Sequence, residues 1–167
     1  MGSVTSHVIA DSPCDVLIVK KPCTECTGAY RSILIPYDGS EFSRKALGRA
    51  CQISKTDNAD ITALYVIPRY EEMMDFFKTS SIKKSLQEEA EKIINTAKGL
   101  AIGQGLTIKT AIVEGHTADR IIETSERLKN DLIVIGTYGW RGVNKAIMGS
   151  TTERVIINAL CPILVVR

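Results

Sequence analysis

The stretch Leu132-Ile133-Val134-Ile135-Gly136-Thr137-Tyr138-Gly139, taken up again nine residues later at Gly149-Ser150, decides how this chain is read. Its first four residues are apolar and read as a buried strand. The residues from Thr152 to Ala159 carry a helical pattern. A strand therefore feeds a glycine-spaced loop that ends at a helix N-terminus. Such a loop offers backbone N–H groups and the positive end of a helix dipole to an anion, usually a phosphate. Gly136 and Gly139 sit where the chain leaves the sheet, and a glycine there admits a phosphate with no Cβ in the way. Gly149 stands just before the helix, and Ser150 can add a hydroxyl. Ser150-x-x-Glu153 is also a capping box, which requires no ligand. Spaced glycines are a weak signal alone, so on these residues the phosphate cradle and the ordinary turn stand level.

Outward from this point the chain alternates strand and helix. Ser32-Ile33-Leu34-Ile35-Pro36 reads as a short buried strand. Asp38-Gly39-Ser40 is a turn with Ser40 as helix N-cap, and Ala46, Leu47, Ala50 and Cys51 supply the helix's apolar face. Ile61 to Ile67 is a second strand, stopped by Pro68. Residues 68–80 are irregular and carry an exposed-looking cluster of Met73, Met74, Phe76 and Phe77. Ser81 opens a long helix with a stripe of Leu86, Ala90, Ile93, Ala97 and Leu100. Leu106 to Val113 is a third strand, and Thr117 caps a helix running to Leu128. Asp131 to Ile135, the helix 150–159 and the strand Ile163 to Val166 complete the series. This order predicts an α/β fold, a doubly wound five-stranded parallel sheet with helices on both faces. In such sheets a ligand sits beyond the C-terminal strand ends, where the winding reverses. If the first and fourth of these strands are neighbours, Asp38 and the glycine loop face one crevice. Asp38 there suits a ribose hydroxyl. The residues alone favour the other reading, a turn aspartate bonding its own backbone. Arg141 and Lys145 in the loop can neutralise phosphate charge or form an ordinary solvated surface. Trp140 can cover a ligand or pack on the protein. His116 falls near the ligand edge.

With 167 residues and a net charge of +2 of mixed pattern, the chain has the size of one domain and lacks an extended basic footprint for nucleic acid or an anionic membrane. No apolar run is long enough to span a bilayer, and no secretory leader is visible. Five scattered cysteines fit a reducing cytosol, so the expectation is a cytoplasmic protein. Cys23-Thr24-Glu25-Cys26 is a single CxxC in a linker-like stretch. It supplies two of the four ligands a structural zinc needs and lacks the context of a redox motif. The residues favour linker cysteines with no function, and a metal or disulfide shared between two chains is the functional alternative. No hydrolase triad, paired-carboxylate motif, HExxH or Walker P-loop occurs.

Residues 2–20 align without gaps on residues 149–167, with eight of nineteen positions identical. Gly2-Ser3 falls on Gly149-Ser150, Cys14 on Cys161, and Val16 to Lys20 on Ile163 to Arg167. The repeat accounts for the Met1-Gly2-Ser3 start better than the myristoylation pattern it also fits. An apolar strand at Val16–Val19 argues against full disorder and against an unpaired edge. Its expected partner is a final strand, within the chain or on another copy.

The run from about Ser32 to Arg167 resembles the universal stress protein family, in its nucleotide-binding branch. That branch carries G-x2-G-x9-G-[ST], and Gly136, Gly139, Gly149 and Ser150 match every fixed position. Ile33 to Ser40, Leu64-Tyr65-Val66-Ile67 and Cys161 to Arg167 also resemble family segments. The resemblance implies an adenine nucleotide α-hydrolase-like sheet, order 3-2-1-4-5, with ATP or AMP over its C-terminal edge. It implies Asp38 on the ribose, Val66 on the adenine, and the Gly136, Gly139, Gly149, Ser150 and Thr151 region on ribose and phosphates. Mg²⁺ or Mn²⁺ can accompany the phosphates. Relatives pair their last strands as homodimers. Residues 31–167 then form the stress-protein domain. Residues 1–30 are an extension and linker resembling the end of a second such domain.

Three functions follow for weighing. The leading one is an ATP-binding stress-response sensor or regulator with at most slow hydrolysis and no assigned catalytic residue. The second is a dimerisation or interaction module that binds no nucleotide. The third is an adenylyl-transferring or phosphate-hydrolysing enzyme, which needs a positioned base or metal ligands.

Overall fold

The computed structural model describes residues 7–9, 11–20, 28–69, 80–139 and 149–167. The Met73–Phe77 cluster, Cys23 and Cys26, the loop residues Trp140, Arg141 and Lys145, and Gly2 and Ser3 lie outside the described residues. The elements are β1 (Val16–Ile18), β2 (Ser32–Pro36), α1 (Glu41–Asp57), β3 (Asp60–Pro68), α2 (Ser80–Gly103), β4 (Lys109–Gly115), α3 (Thr117–Arg127), β5 (Leu132–Gly136), α4 (Ser150–Asn158) and β6 (Ile163–Val166). They build one sheet in the order β1-β6-β5-β2-β3-β4. From β2 onward all pairings are parallel. This is the doubly wound five-stranded sheet in the 3-2-1-4-5 order, with a sixth strand added at its edge. That sixth strand is β1, antiparallel to β6 within the same chain.

Alternation along the strands divides the core in two. Ile33 and Ile35 of β2 face α1 and α2, where Leu47, Ala50, Cys51 and Ile94 are buried. Leu34, between them, faces α3 and α4 with Ile121, Val155 and Ile156. Each fully buried Leu or Ile contributes about 1.5–3 kcal/mol of transfer free energy. Cys51 is thus a core residue, as its helical position predicts. The α2 stripe differs in detail. Ala90, Ile94, Ala97 and Ala101 are buried, whereas Leu100 is 40% exposed. Spacings of four, three and four keep those residues on one helical face, and Leu100 turns away from it.

Helix starts also separate expectation from structure. Ser40 caps α1, its side chain accepting from Ser43 N. Thr117 and Ser150, expected as caps, are instead the first helical residues of α3 and α4. His116 and Gly149 hold the cap positions without a side-chain cap bond. Ser150 therefore forms no capping box with Glu153. The third parallel strand begins at Lys109 rather than Leu106, because Gly105 adopts φ +79° and residues 106–108 serve as a connection.

The sheet's reversal point is pinned from below. Asp131, just before β5, accepts from Arg31 N at 2.7 Å and Ser32 N at 2.9 Å. These charge-assisted bonds set the start of β2 beside the start of β5. From there β3 and β4 extend the sheet to one side, and β6 to the other.

Candidate functional site

β2 and β5 pair at Ile33–Leu132 and Leu34–Ile133, and their ladder stops short of both C-terminal ends. Beyond those ends opens a cleft of about 1190 Å³. It is lined by Tyr37 and Asp38 after β2, Val66 near the end of β3, Gly136 at the end of β5, and Tyr138 and Gly139 beyond it. Gly149, Ser150, Thr151 and Thr152 at the start of α4 complete the wall. All seven residues singled out for ligand binding, Asp38, Val66, Gly136, Gly139, Gly149, Ser150 and Thr151, thus line one space. A concave site at the reversal point of an open parallel sheet is where this architecture holds its ligands.

Asp38 and Gly139 come together across the reversal. One carboxylate oxygen of Asp38 accepts from Ser40 N at 2.9 Å, the turn bond that the sequence favours. The other lies against Gly139, where an added Cβ would sit 2.8 Å from it. Gly139 therefore leaves room for the Asp38 carboxylate. Gly136 is needed for another reason. A Cβ there would fall 2.8 Å from Phe42 Cβ and 2.9 Å from the Phe42 carbonyl carbon. Gly136 borders the cleft, but its missing side chain lets α1 close on β5. Phe42 then stacks edge-on against Tyr138, ring centres 5.2 Å apart. Gly149 has φ −61° and its added Cβ would meet Thr137 O at 3.4 Å, so the fold alone asks little of it.

The entry to α4 is held by the loop's own backbone. Gly149 N donates to Thr137 O at 3.2 Å. Buried Thr152 donates its hydroxyl to Gly136 O at 3.0 Å. Thr137 in turn donates to Val166 O at 2.7 Å. These bonds fix the N-terminus of α4 over the end of β5. The N-terminus of α3 opens on the same cleft through His116, Thr117 and Ala118. Two helix dipoles thus place partial positive charge along one rim. His116 was expected near this edge. The α3 terminus carries no glycine signature, and only the rule that ligands collect at strand C-termini points to it. Arg69 and Arg154 are further lining residues. Arg69 pairs with Glu114 at 2.6 Å and Arg154 with Asp119 at 2.9 Å.

Two tyrosines line the wall. Burial pushes the Tyr37 phenol up, against the lowering influence of nearby Arg44, and among the described residues its hydroxyl meets no partner of normal hydrogen-bond geometry. Burial also raises Tyr65, with Glu89 and Asp38 adding to the shift. Both phenols are neutral at physiological pH. Among the described residues no group of three His, Cys, Asp or Glu side chains is placed to hold a metal ion. Among them also, no helix is long and apolar enough to cross a membrane.

Fold and cleft define a doubly wound α/β protein with an open cleft at the sheet's reversal point. The universal stress protein family model matches residues 29–167, and the chain belongs to that family. A universal stress protein of Methanocaldococcus jannaschii is 38% identical over 144 residues, covering 83% of this chain and 82% of the relative. A universal stress protein solved in complex with cAMP has a TM-score of 0.64 and 25% identity, covering 83% of this chain and 98% of its own. A universal stress protein from Archaeoglobus fulgidus superposes with a TM-score of 0.75 at 22% identity, a likeness of fold alone. That superposition takes in 99% of this chain and 55% of the longer one.

Proposed function

We infer that this chain is an adenine-nucleotide-binding universal stress protein, a stress-response sensor or regulator with at most slow ATP hydrolysis. The observation that carries the reading is the meeting of Asp38 with Gly139 at the mouth of a nucleotide-sized cleft. A carboxylate suited to a ribose lies against the glycine loop that leads to the α4 N-terminus. ATP or AMP would place its adenine toward Val66 and its ribose on Asp38. The phosphates would run toward Gly139, Gly149, Ser150 and Thr151, where α4 presents its unpaired N–H groups. The cAMP bound by a relative supports an adenine ligand in this fold. A Mg²⁺ or Mn²⁺ ion arriving with the nucleotide would rely mainly on phosphate oxygens and water. The reading assigns no catalytic residue.

The test is direct. Denaturing the purified protein and analysing the supernatant by chromatography with mass detection should release ATP or AMP in near-stoichiometric amount. Gly139→Val should abolish that release, and uptake of added ATP with Mg²⁺, while leaving the thermal transition cooperative. An empty protein that also fails to take up ATP would sink the reading and favour an interaction module. The pairing of last strands into a homodimer, which the family resemblance implies, meets an obstacle here, since β1 already lies along β6. A dimer through β6 requires β1 to leave or exchange.

A further inference from the structure

The helix-turn-strand pattern occurs twice, and each residue of 2–20 has its equivalent 147 positions later (149 − 2). The two copies meet in the structure. β1 pairs with β6 at Val16–Val165, Leu17–Leu164 and Ile18–Ile163. Val16 is the equivalent of Ile163, Leu17 of Leu164, and Ile18 of Val165. Exchanging the two copies therefore maps the set of pairs onto itself, with Leu17–Leu164 at the centre. Pairing of residue i with j and of j's equivalent with i's is the mark of an isologous, two-fold interface.

Contacts away from the strands obey the same exchange. Lys20 Nζ donates to Ala159 O at 2.7 Å and to Ile157 O at 2.7 Å, at the C-terminal end of α4. The Arg167 guanidinium donates to Ser12 O. Lys20 is the equivalent of Arg167, and Ser12 of Ala159. Ile9 and its equivalent Ile156 are buried in one apolar cluster. Asp15 breaks the symmetry. It pairs with Arg49 of α1 at 2.6 Å and accepts from Arg167 N, while its equivalent is Pro162. Those bonds are open only to the N-terminal copy.

We propose that residues 7–9 and 11–20 occupy the place that the α4–β6 unit of a second copy of this chain would take across a two-fold axis, and so keep the chain single. The argument is one of competition for an edge. The apolar strand β6 presents backbone donors and acceptors that must be paired or covered. A segment tethered to the same chain competes at a high effective concentration. Asp15 adds contacts that the second copy lacks. When the segment is weakened, β6 pairs with β6 of another copy, whose Arg167 takes over the Ala159 carbonyl.

The test uses the full chain in size-exclusion chromatography with light scattering. The unaltered protein should elute with the mass of one chain. D15R/K20E reverses the Arg49 pair and sets an acid against the negative end of α4, and its mass should double at high concentration. Adding Leu164→Glu to that variant sets two carboxylates facing each other across the axis and should restore the single mass. Ile9→Ala, a side-chain trim, should shift the mass in the same direction and serves if the charge variant unfolds by circular dichroism. A two-chain mass for the unaltered protein would overturn the proposal. So would a folded variant that stays single at every concentration, or a dimer indifferent to Leu164→Glu.

Discussion

Ile156 on α4 and Ile9 in the N-terminal segment hold equivalent positions of one repeated pattern, and both are buried, at 2% and 1% exposure. The strands that follow them differ. β6 lies between β5 and β1, and its Ile163, Val165 and Val166 are buried. Among the described residues β1 has a neighbouring strand on one side only, and its Leu17 is 49% exposed. The C-terminal copy is also preceded by β5 and the glycine loop, and so its helix N-terminus borders the cleft. Similar residues thus build a core element in one place and an edge covering in the other. Burial comes from position in the sheet, and the apolar pattern only permits it.

Substitutions at equivalent positions can break or sharpen this contrast. The largest effect is expected for Val165→Asp, which buries an unpaired carboxylate in the apolar cluster between the sheet and α3 and α4. It should cost about 4 kcal/mol or more in urea unfolding. Ile18→Asp, at the equivalent place on β1, should cost about half as much, because an edge segment can lift away from the sheet. Equal losses would mean that β1 is as integral as β6.

The two glycines that frame the loop come next. Gly136→Ala should lower stability by about 1–3 kcal/mol, since Phe42 backbone must move to admit a Cβ. Gly149→Ala should cost about 0.5–1 kcal/mol, the difference between the two residues at an N-cap. Thermal unfolding of both variants, beside nucleotide uptake, separates packing from ligand approach. A Gly136 variant of unaltered melting temperature would remove the packing explanation.

Lys20→Ala should cost roughly 0.5–1 kcal/mol, as expected for a cation at a helix C-terminus. Its loss should appear as faster amide exchange in β1, with β5 unaffected. The smallest effect at neutral pH is expected for Tyr37→Phe, which removes a buried hydroxyl with no partner of normal hydrogen-bond geometry among the described residues. The folded phenol titrates above its ordinary value of 10.0. Its stabilising preference for the neutral form is complete below that pH and is lost as pH rises through the folded value. The melting temperature of the Phe variant should therefore fall less steeply than that of the unaltered protein above about pH 10. Parallel curves would show that Tyr37 does not contribute.

Much of the site was legible, in uneven ways. The helix-entry glycines and Asp38 stood out because tight turns and close approaches select few residue types. Gly136 was legible as a loop glycine, but its close approach to Phe42 was not, since Phe42 lies far off in the chain and no local pattern points to it. Ser150 and Thr117 looked like caps because capping boxes are read from spacing, whereas the cap position depends on where the preceding loop delivers the chain. The stripe on α2 erred at Leu100 because hydrophobicity does not report which face meets the sheet. Ala101 is buried there because a small side chain suits close packing.

The sequence by itself determined the order of strands and helices, the strand-loop-helix at Gly136 to Ser150 and the repetition of the final helix and strand. These follow from periodicities and turn chemistry acting over a few neighbouring residues. Tertiary structure alone decided that β2 lies beside β5, which brings Asp38 to Gly139, and that β1 lies along β6 of its own chain. Such pairings join residues far apart in sequence. They depend on which apolar faces and strand edges can be satisfied together, and the local code does not carry that choice.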